Sequence, residues 1–173
     1  MTAKRKMILN SALQLFASKG FDAVPTSLIA KNAAVSEGLI FRHYKNKQGL
    51  LTAIMEVGRE KVNEGMKEIL VLEKPEDRIT AIMEVPFHME EEDYPFWKLM
   101  YSMKWNNEVY DDEMSKPIKG ALIDALTEMK YLDPEGEADL IMAYMDGFVT
   151  TVILKKDIVD KERLLNTLRK KYK

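Results

Sequence analysis

Residues 26–50 read TSLIAKNAAVSEGLIFRHYKNKQGL, and this stretch decides the fold of the chain. Thr26 is suited to capping a first short helix, and Ser36 to capping a second one after a tight break. Asn46 is suited to capping a further helix that starts near Lys47. Two short helices joined by a tight turn form a helix-turn-helix, the unit that places one helix in a DNA major groove.

An amphipathic helix precedes this stretch. Its apolar residues follow the i, i+3, i+4, i+7 spacing from Leu9 to Phe16, and Gly20 is suited to ending it. The helix after Ser36 is expected to bury Ile40 and Tyr44 and to expose Glu37, Gly38, Leu39, Phe41, Arg42 and His43. Residues 4–46 therefore predict one small core shared by three helices.

Charge is distributed unevenly along the chain. Residues 1–47 hold eight Lys/Arg and two Asp/Glu, a net charge of +6. Residues 48–173 hold eighteen Lys/Arg and twenty-six Asp/Glu, a net charge of −8. A basic amino-terminal part followed by an acidic body favours a protein that meets a polyanion such as DNA with one end.

The order of residues from Phe16 to Leu50 resembles the DNA-binding domain of the TetR/AcrR family of bacterial transcriptional regulators. The residues that carry the resemblance are Phe16, Gly20, Phe21, Thr26, Ile29, Ala30, Ala33, Val35, Ser36, Gly38, Ile40, Phe41, His43, Tyr44, Lys45, Lys47 and Leu50. The family usually has Gly at the position of Ala34, so the turn could tighten or shift. It commonly has Tyr at the position of Phe41, so one hydroxyl contact to phosphate is lost.

The resemblance implies a DNA-binding surface around the second short helix. Positions that usually touch phosphates correspond to Thr26, Ser36, Phe41, His43 and Lys47. Positions on the recognition helix that face bases or backbone correspond to Glu37, Gly38, Leu39 and Arg42. Independently, a cation at a helix start such as Lys47 makes sense where a phosphate lies nearby. Glu37 either accepts from a cytosine amino group or caps its helix, and both alternatives stay open.

The remaining chain predicts one helix after another and no convincing strand. A long helix is expected from Lys47 to about Leu72, and further helices are expected to start near residues 75, 96, 117, 134 and 161. The predicted fold class is all-α with about nine helices. We expect a helix-turn-helix DNA-binding domain over residues 1–46 and a larger helical domain over residues 47–173, to which the resemblance assigns effector binding and dimerisation.

Large apolar and amphipathic side chains in the middle of the body are candidates for an effector pocket, because such residues usually line small-molecule sites. These candidates are Met83, Phe87, Trp97, Met100, Tyr101, Lys104, Trp105, Met145 and Phe148. The alternative is that they form plain core. The resemblance favours a pocket, because members of the family commonly bind an effector inside this helical body.

Two apolar stripes near the carboxyl end are candidates for a dimer interface, because the family pairs two such helices with their copies. The stripe residues are Ile118, Ala121, Leu122, Ala125, Leu126, Met142, Met145, Val149 and Val152. The alternative is that both stripes cover the core of one chain. A homodimer is preferred, since two recognition helices spaced about one DNA turn apart double the base contacts of one.

Composition excludes several other classes of protein. The chain has no cysteine, no nucleophile-base set and no glycine-rich phosphate loop, so no catalytic residue, cofactor or metal is predicted, and an enzyme is not expected. No stretch has the apolar length needed to span a membrane, and a cytoplasmic location is expected. A carboxylate-histidine cluster of Glu84, His88 and Glu91 or Glu92 on one helical face is an alternative metal site, although a solvated acidic helix end explains it better.

The sequence as a whole predicts a DNA-binding transcriptional regulator. We expect a repressor that binds a near-palindromic double-stranded operator as a homodimer and responds to a small, largely apolar effector. The resemblance makes release of DNA by the effector the commoner behaviour. A helical DNA-binding dimer without any ligand remains the alternative.

Overall fold

The computed structural model describes residues 1–106, 112–154 and 160–171, apart from the side chains of residues 105, 106 and 112. The described residues form nine α-helices and no strand, which confirms the predicted fold class. The helices are α1 (Ala3–Lys19), α2 (Thr26–Asn32), α3 (Glu37–Tyr44), α4 (Lys47–Leu70), α5 (Pro75–Glu84), α6 (Tyr94–Asn106), α7 (Lys116–Glu128), α8 (Pro134–Leu154) and α9 (Lys161–Lys171). Short 3-10 turns cover Val85–Phe87, Glu91–Asp93 and Asp112–Met114. Within this part of the chain, no helix combines the length and apolarity that crossing a membrane requires.

Several helix ends are set by residues next to them in sequence. The Asn46 side chain accepts a hydrogen bond of 2.8 Å from the Gly49 backbone N–H at the start of α4. Asp133 and Asp160 act in the same way at the starts of α8 and α9, each at 2.9 Å. Gly20 follows α1 with a φ of 84°, a backbone conformation that favours glycine. These caps satisfy backbone groups that a helix end leaves without partners.

One compact unit contains residues 1–60 and 92–106 of the described chain. It joins α1, α2, α3 and the first half of α4 to α6, which packs along α1. Its fully buried side chains include Ile8, Ala12, Ile29, Ile40, Leu50, Leu51 and Leu99. Because burying a large apolar side chain contributes roughly 1.5–3 kcal/mol, α6 helps to hold the helix-turn-helix together. The domain boundary predicted at residue 46 lies inside this unit. The division into a DNA-binding domain and an effector-binding domain at that residue stays a prediction.

Helices α4 and α6 approach each other at Gly58. A β-carbon at this position would overlap the ring of Phe96, so the ring occupies the space that a side chain would take. Glycine inside a helix costs about 1 kcal/mol relative to alanine. The close approach of the Phe96 ring to the α4 backbone is the packing that offsets this cost.

The second compact unit contains residues 61–91, 112–154 and 160–171 of the described chain. Helix α7 packs against both α5 and α8, and α9 packs against α5. Met66 on the last part of α4 belongs to the same buried cluster. The fully buried side chains of this cluster are Ile79, Ile82, Met83, Leu122, Ala125, Leu126, Ala138 and Ile141. This unit is therefore a helical body with a core of its own.

An ion pair ties α9 to the end of α5. Arg169 donates from Nε to Glu84 Oε1 at 2.5 Å and from Nη2 to Glu84 Oε2 at 2.9 Å. His88 Nε2 lies 3.4 Å from the same Oε2 atom. Hydrogen bonding by the Arg169 guanidinium, with a smaller contribution from His88, lowers the pKa of Glu84 below its ordinary value. The ion pair is bidentate, the geometry in which an arginine–carboxylate contact is strongest.

Acidification is expected to weaken the protein partly through this pair. A carboxyl group whose pKa is lowered by folding contributes stability that is complete above its unfolded pKa, about 4.3, and is lost as the pH falls through the folded pKa. Glu84→Gln should therefore flatten the fall in thermal midpoint below about pH 4.5. Scanning calorimetry from pH 3 to pH 7 measures the thermal midpoint of each variant. Glu90→Gln, which changes an exposed glutamate, is the control. Equal acid slopes in the Glu84→Gln variant and the unchanged protein would contradict a contribution from Glu84.

Candidate nucleic-acid interface

The turn between α2 and α3 is closed by two backbone hydrogen bonds. Val35 N–H donates to the Ala30 carbonyl at 3.0 Å, and Ala34 N–H donates to the Lys31 carbonyl at 3.3 Å. This pair of bonds is the Schellman arrangement, which requires a left-handed backbone between the helix and the chain that follows. Ala34 has that conformation, with a φ of 51°. The turn thus closes in the regular way although alanine stands where a glycine is usual.

Replacing Ala34 with glycine should stabilise the protein by about 0.5–1 kcal/mol, because an L-residue in this conformation is strained by roughly 1–2 kcal/mol and glycine's larger unfolded-state entropy offsets part of the gain. Urea unfolding measures the change. The control is Ala33→Gly, since buried Ala33 has a φ of −80° and should lose stability. An Ala34→Gly variant no more stable than the original would show that the turn is unstrained.

Helix α3 presents most of its predicted contact residues to solvent. Ile40 and Tyr44 are buried in the core of the first unit. The predicted contact residues that are exposed are Ser36, Gly38, Phe41, Arg42 and His43, and those that are half-buried are Thr26, Glu37, Leu39 and Lys47. One side of this short helix is therefore open to a partner while the other side anchors it.

Thr26 does not cap α2, which corrects one expectation. Helix α2 starts at Thr26 itself, and the preceding residue is Pro25, which makes no side-chain cap bond. The Thr26 hydroxyl donates a hydrogen bond of 2.6 Å to Glu37 Oε1 across the turn. Ser36 precedes α3 as expected, but its side chain also makes no cap bond. The Thr26–Glu37 bond therefore links the first residues of the two helices.

Lys47 is anchored to the loop between α1 and α2. Its Nζ atom donates to the carbonyl oxygens of Phe21 at 3.0 Å and Asp22 at 3.1 Å. The same atom lies 4.5 Å from the centroid of the Phe21 ring, within the range of a cation–π contact. Two of the three ammonium hydrogens are thus used inside the chain. A phosphate contact through the third hydrogen stays a prediction.

The residues predicted to bind an effector fall in two compact units. Trp97, Met100, Tyr101 and Lys104 belong to α6 in the first unit, and Met83, Phe87, Met145 and Phe148 belong to the second. The Trp105 side chain lies outside the described residues. The second unit brings its members together, with the ring centroids of Phe87 and Phe148 5.1 Å apart.

A cleft of about 170 Å³ lies in the second unit between α5, α8 and α9. Its lining residues are Met83, Tyr144, Phe148, Leu164, Thr167, Leu168 and Lys171. Two of them, Met83 and Phe148, are predicted effector residues. Sequence reasoning missed the α9 wall, because a helical stripe does not reveal which distant helix will cover it.

The predicted dimer residues lie mostly inside the chain. Leu122, Ala125, Leu126 and Val152 have no exposed surface. Ala121, Met145 and Val149 are also buried, and Ile118 and Met142 are half-buried. This burial is what the alternative of a single-chain core requires, and the interface stays a prediction. On α8, Leu140 and Leu154 are exposed, as is Tyr144.

The alternative metal cluster is not formed by the described residues. Helix α5 ends at Glu84, so His88 and Glu91 do not follow it on one helical face. Glu84 instead holds Arg169. Across residues 1–106, 112–154 and 160–171, no group of three His, Asp or Glu side chains could hold a metal ion.

Sequence comparisons match the amino-terminal part of the chain. The family model described as "Bacterial regulatory proteins, tetR family" matches residues 8–54. The HTH-type transcriptional regulator YvkB of Bacillus subtilis (strain 168), itself uncharacterized, is 49% identical over 55 residues, which are 32% of this chain and 29% of that protein. The HTH-type transcriptional regulator AcrR of Shigella flexneri is 32% identical over 87 residues, 50% of this chain and 40% of that protein. The chain thus matches less than half the length of these two relatives.

Structural comparisons extend over the whole chain and show the fold. A TetR-family transcriptional regulator, PfmR of Thermus thermophilus, has a TM-score of 0.71 at 18% identity, covering 99% of this chain and 95% of that one. The fatty acid degradation regulator FadR of Bacillus halodurans has a TM-score of 0.70 at 19% identity, covering 97% of each chain. A Saccharomonospora viridis protein solved in complex with choline has a TM-score of 0.76 at 17% identity, covering 96% of this chain and 93% of that one.

A helix-turn-helix whose second helix, α3, keeps one side open to solvent defines the class of helix-turn-helix DNA-binding domains. The comparisons of sequence and of fold narrow this class to one family. Residues 8–54 match the TetR family of bacterial regulatory proteins, and the fold of the described chain is similar to that of a TetR-family transcriptional regulator. The relatives and neighbours YvkB, AcrR and PfmR are described as transcriptional regulators, not as enzymes.

Proposed function

We propose that the chain is a repressor that binds a near-palindromic operator in the cytoplasm as a homodimer and responds to a small, largely apolar effector. The exposed side of α3 carries the DNA-binding part of the proposal. Arg42 and His43 are exposed on that side, and Phe41 keeps 46% of its surface accessible. The net charge of +6 over residues 1–47 supplies attraction to phosphates.

Binding to duplexes selected from a random pool tests this part. Arg42→Ala should lower affinity for the selected site by about 5- to 150-fold per half-site, the value of roughly 1–3 kcal/mol for a good base contact. The matched control is Arg163→Ala, which removes an exposed arginine of α9 in the other unit. Fluorescence anisotropy at several salt concentrations measures both. Equal losses in the two variants, or no binding by the unchanged protein at low salt, would contradict the assignment of α3.

The homodimer is supported by the exposed apolar side of α8. Leu140 keeps 44%, Tyr144 37% and Leu154 70% of their surfaces exposed, at positions i, i+4 and i+14 of one helix. Gly147 lies at i+7, and a β-carbon there would meet no atom within 4 Å. An apolar helix side with a small residue at its centre allows close approach of a second helix. A palindromic operator then follows from the two-fold symmetry of the pair.

The effector is supported by the cleft between α5, α8 and α9. About 170 Å³ is small beside the roughly 300–1,000 Å³ of sites for drug-sized ligands, so the occupant is a small molecule. Met83, Phe148, Leu164 and Leu168 make its walls largely apolar. Choline and short-chain fatty acids are reasonable first compounds, since a protein of the same fold is solved with choline and another is named for fatty acid degradation.

Helix α4 carries the proposed response. It starts at Lys47, close to α3 in sequence, and continues to Leu70, so one helix contributes residues to both compact units. An effector that shifts α4 by binding in the second unit changes operator affinity. A coupling free energy of roughly 1–3 kcal/mol corresponds to a 5- to 150-fold change.

A cleft-filling variant separates this response from DNA binding. Leu164→Trp should leave operator affinity unchanged and abolish the effect of any active compound on anisotropy. Leu132→Trp, at a fully exposed position, is the control and should keep that effect. A compound that acts equally on both variants binds elsewhere, and the cleft would then lose its assigned role. No response to any metabolite would favour the DNA-binding dimer without a ligand.

A further inference from the structure

Glu37 is chemically unusual among the predicted contact residues. It is one of two acidic residues in the first 47, where eight lysines and arginines stand. An ionised carboxylate repels phosphates, so its presence at the start of α3 opposes binding to DNA of any sequence. The positive end of the α3 dipole favours a carboxylate in the first turn and offsets part of this cost, and a base amino group that donates to the carboxylate would offset more of it. The inference drawn from Glu37 rests on the proposed DNA-binding function.

The orientation of Glu37 is fixed by Thr26. The Thr26 hydroxyl donates its proton to Oε1 at 2.6 Å, and both residues are half-buried. Within the described part of the chain, Thr26 is the hydrogen-bonding partner that the Glu37 carboxylate has. The bond leaves Oε2 with its acceptor capacity, because each carboxylate oxygen offers two lone pairs. Holding the side chain in one rotamer before binding removes part of the entropy that ordering it on DNA would cost.

A carboxylate can only accept hydrogen bonds, which limits what it can recognise on DNA. In the major groove, guanine N7 and O6 and thymine O4 are acceptors and repel it. The donors are the cytosine N4 and adenine N6 amino groups, and adenine places its N7 acceptor beside that amino group. Cytosine is therefore the base that a fixed carboxylate oxygen accepts best.

We propose that Glu37 selects cytosine at one position of each operator half-site, and that Thr26 is the positioning residue that makes this selection sharp. In this arrangement the Thr26 proton is committed to Glu37 rather than to a phosphate. The carboxylate increases sequence specificity in two ways. It accepts a hydrogen bond from cytosine, and it weakens binding to sequences without cytosine at that position. Affinity for non-specific DNA is kept low by the same group that reads the site.

Selection of duplexes from a random pool tests this proposal. The protein should select cytosine at one position per half-site, and changing that base pair should lower affinity by about 5- to 150-fold. Glu37→Ala should lose the preference at that position alone and bind random duplex more tightly. Glu37→Gln should shift the preference towards adenine, because an amide both donates and accepts.

The Thr26 variants separate positioning from a merely structural role. Thr26→Val keeps the shape but removes the donor, so it should flatten the preference at the Glu37 position. Thr26→Ser restores a hydroxyl and should restore the preference. Thermal midpoints of both variants are measured alongside, since a structural role would change them without changing the selected base.

Three outcomes decide the matter. If the original protein and Glu37→Ala select identical sites, Glu37 does not select cytosine. Because both proteins would still bind duplex DNA, that result would leave the proposed function intact. A Thr26→Val variant that folds and keeps the full preference would overturn the positioning role. Absence of duplex binding by every protein, including the original, would instead contradict the proposed function.

Discussion

Alanine at position 49 is expected to destabilise the protein by about 3 kcal/mol, at the upper end of the usual cost of overpacking. Gly49 lies in the first turn of α4, and a β-carbon there would overlap the backbone carbonyl oxygen of Tyr44. Tyr44 ends α3 and is buried, so this oxygen cannot move away as a flexible side chain would. The junction of α3 and α4 must open to admit the methyl group.

The matched control for Gly49→Ala is Gly65→Ala in the same helix. A β-carbon at Gly65 would meet no atom within 4 Å, so alanine should there raise stability by up to about 1 kcal/mol through helix propensity. Urea unfolding followed by circular dichroism measures both variants. Two stabilised variants would show that the junction of α3 and α4 accepts a β-carbon at residue 49 without strain.

Leu122→Ala is expected to lower the free energy of unfolding by about 2–5 kcal/mol, the usual range for a large core residue cut to alanine. Leu122 on α7 has no exposed surface in the single chain, where α7 packs against α5 and α8. The substitution leaves a cavity inside the second unit. Denaturant unfolding at a tenfold range of protein concentrations measures the loss and shows whether it depends on self-association.

Leu140→Glu is compared with Leu122→Ala because it changes an exposed residue of α8 instead of a buried residue of α7. Leu140 on α8 is 44% exposed, so the unfolding free energy of one chain should change by no more than about 0.5 kcal/mol. A buried glutamate at a helix-helix contact would, however, disfavour a dimer. Sedimentation velocity measures the association state of both variants. Loss of the dimer in Leu122→Ala with unchanged unfolding of the chain would support the predicted α7 stripe as the interface and contradict the burial of Leu122 within one chain.

Features that depend on neighbours in sequence could be predicted. Asn46 was predicted as a cap because a cap side chain bonds a backbone N–H two or three residues ahead, and Asp133 and Asp160 cap α8 and α9 in the same local way. The starts of α5 and α8 follow from Pro75 and Pro134 for a similarly local reason, since proline is favoured in the first helical turn. The fold class follows from many such local signals that agree.

Features that depend on distant residues could not be predicted. The hydroxyl of Thr26 had two possible uses, a local cap and a bond to Glu37 eleven residues away, and sequence favours the local one. The ammonium of Lys47 reaches carbonyls at residues 21 and 22, which lie on a loop far from it in sequence. In the same way, the stripe on α7 showed which side is apolar but not that α5 and α8 cover it within one chain.

The Phe96 ring against Gly58 limits how α4 can move. Two helices with a flat interface can slide along each other. The Phe96 ring, however, fills the space left by the missing side chain of Gly58 and blocks such sliding. Axial displacement of α4 past residue 58 would drive the ring into the side chains on either side of this space. Motion of α4 therefore carries α6 with it, and because α6 lies along α1, the first helix of the DNA-binding part is drawn into the same movement.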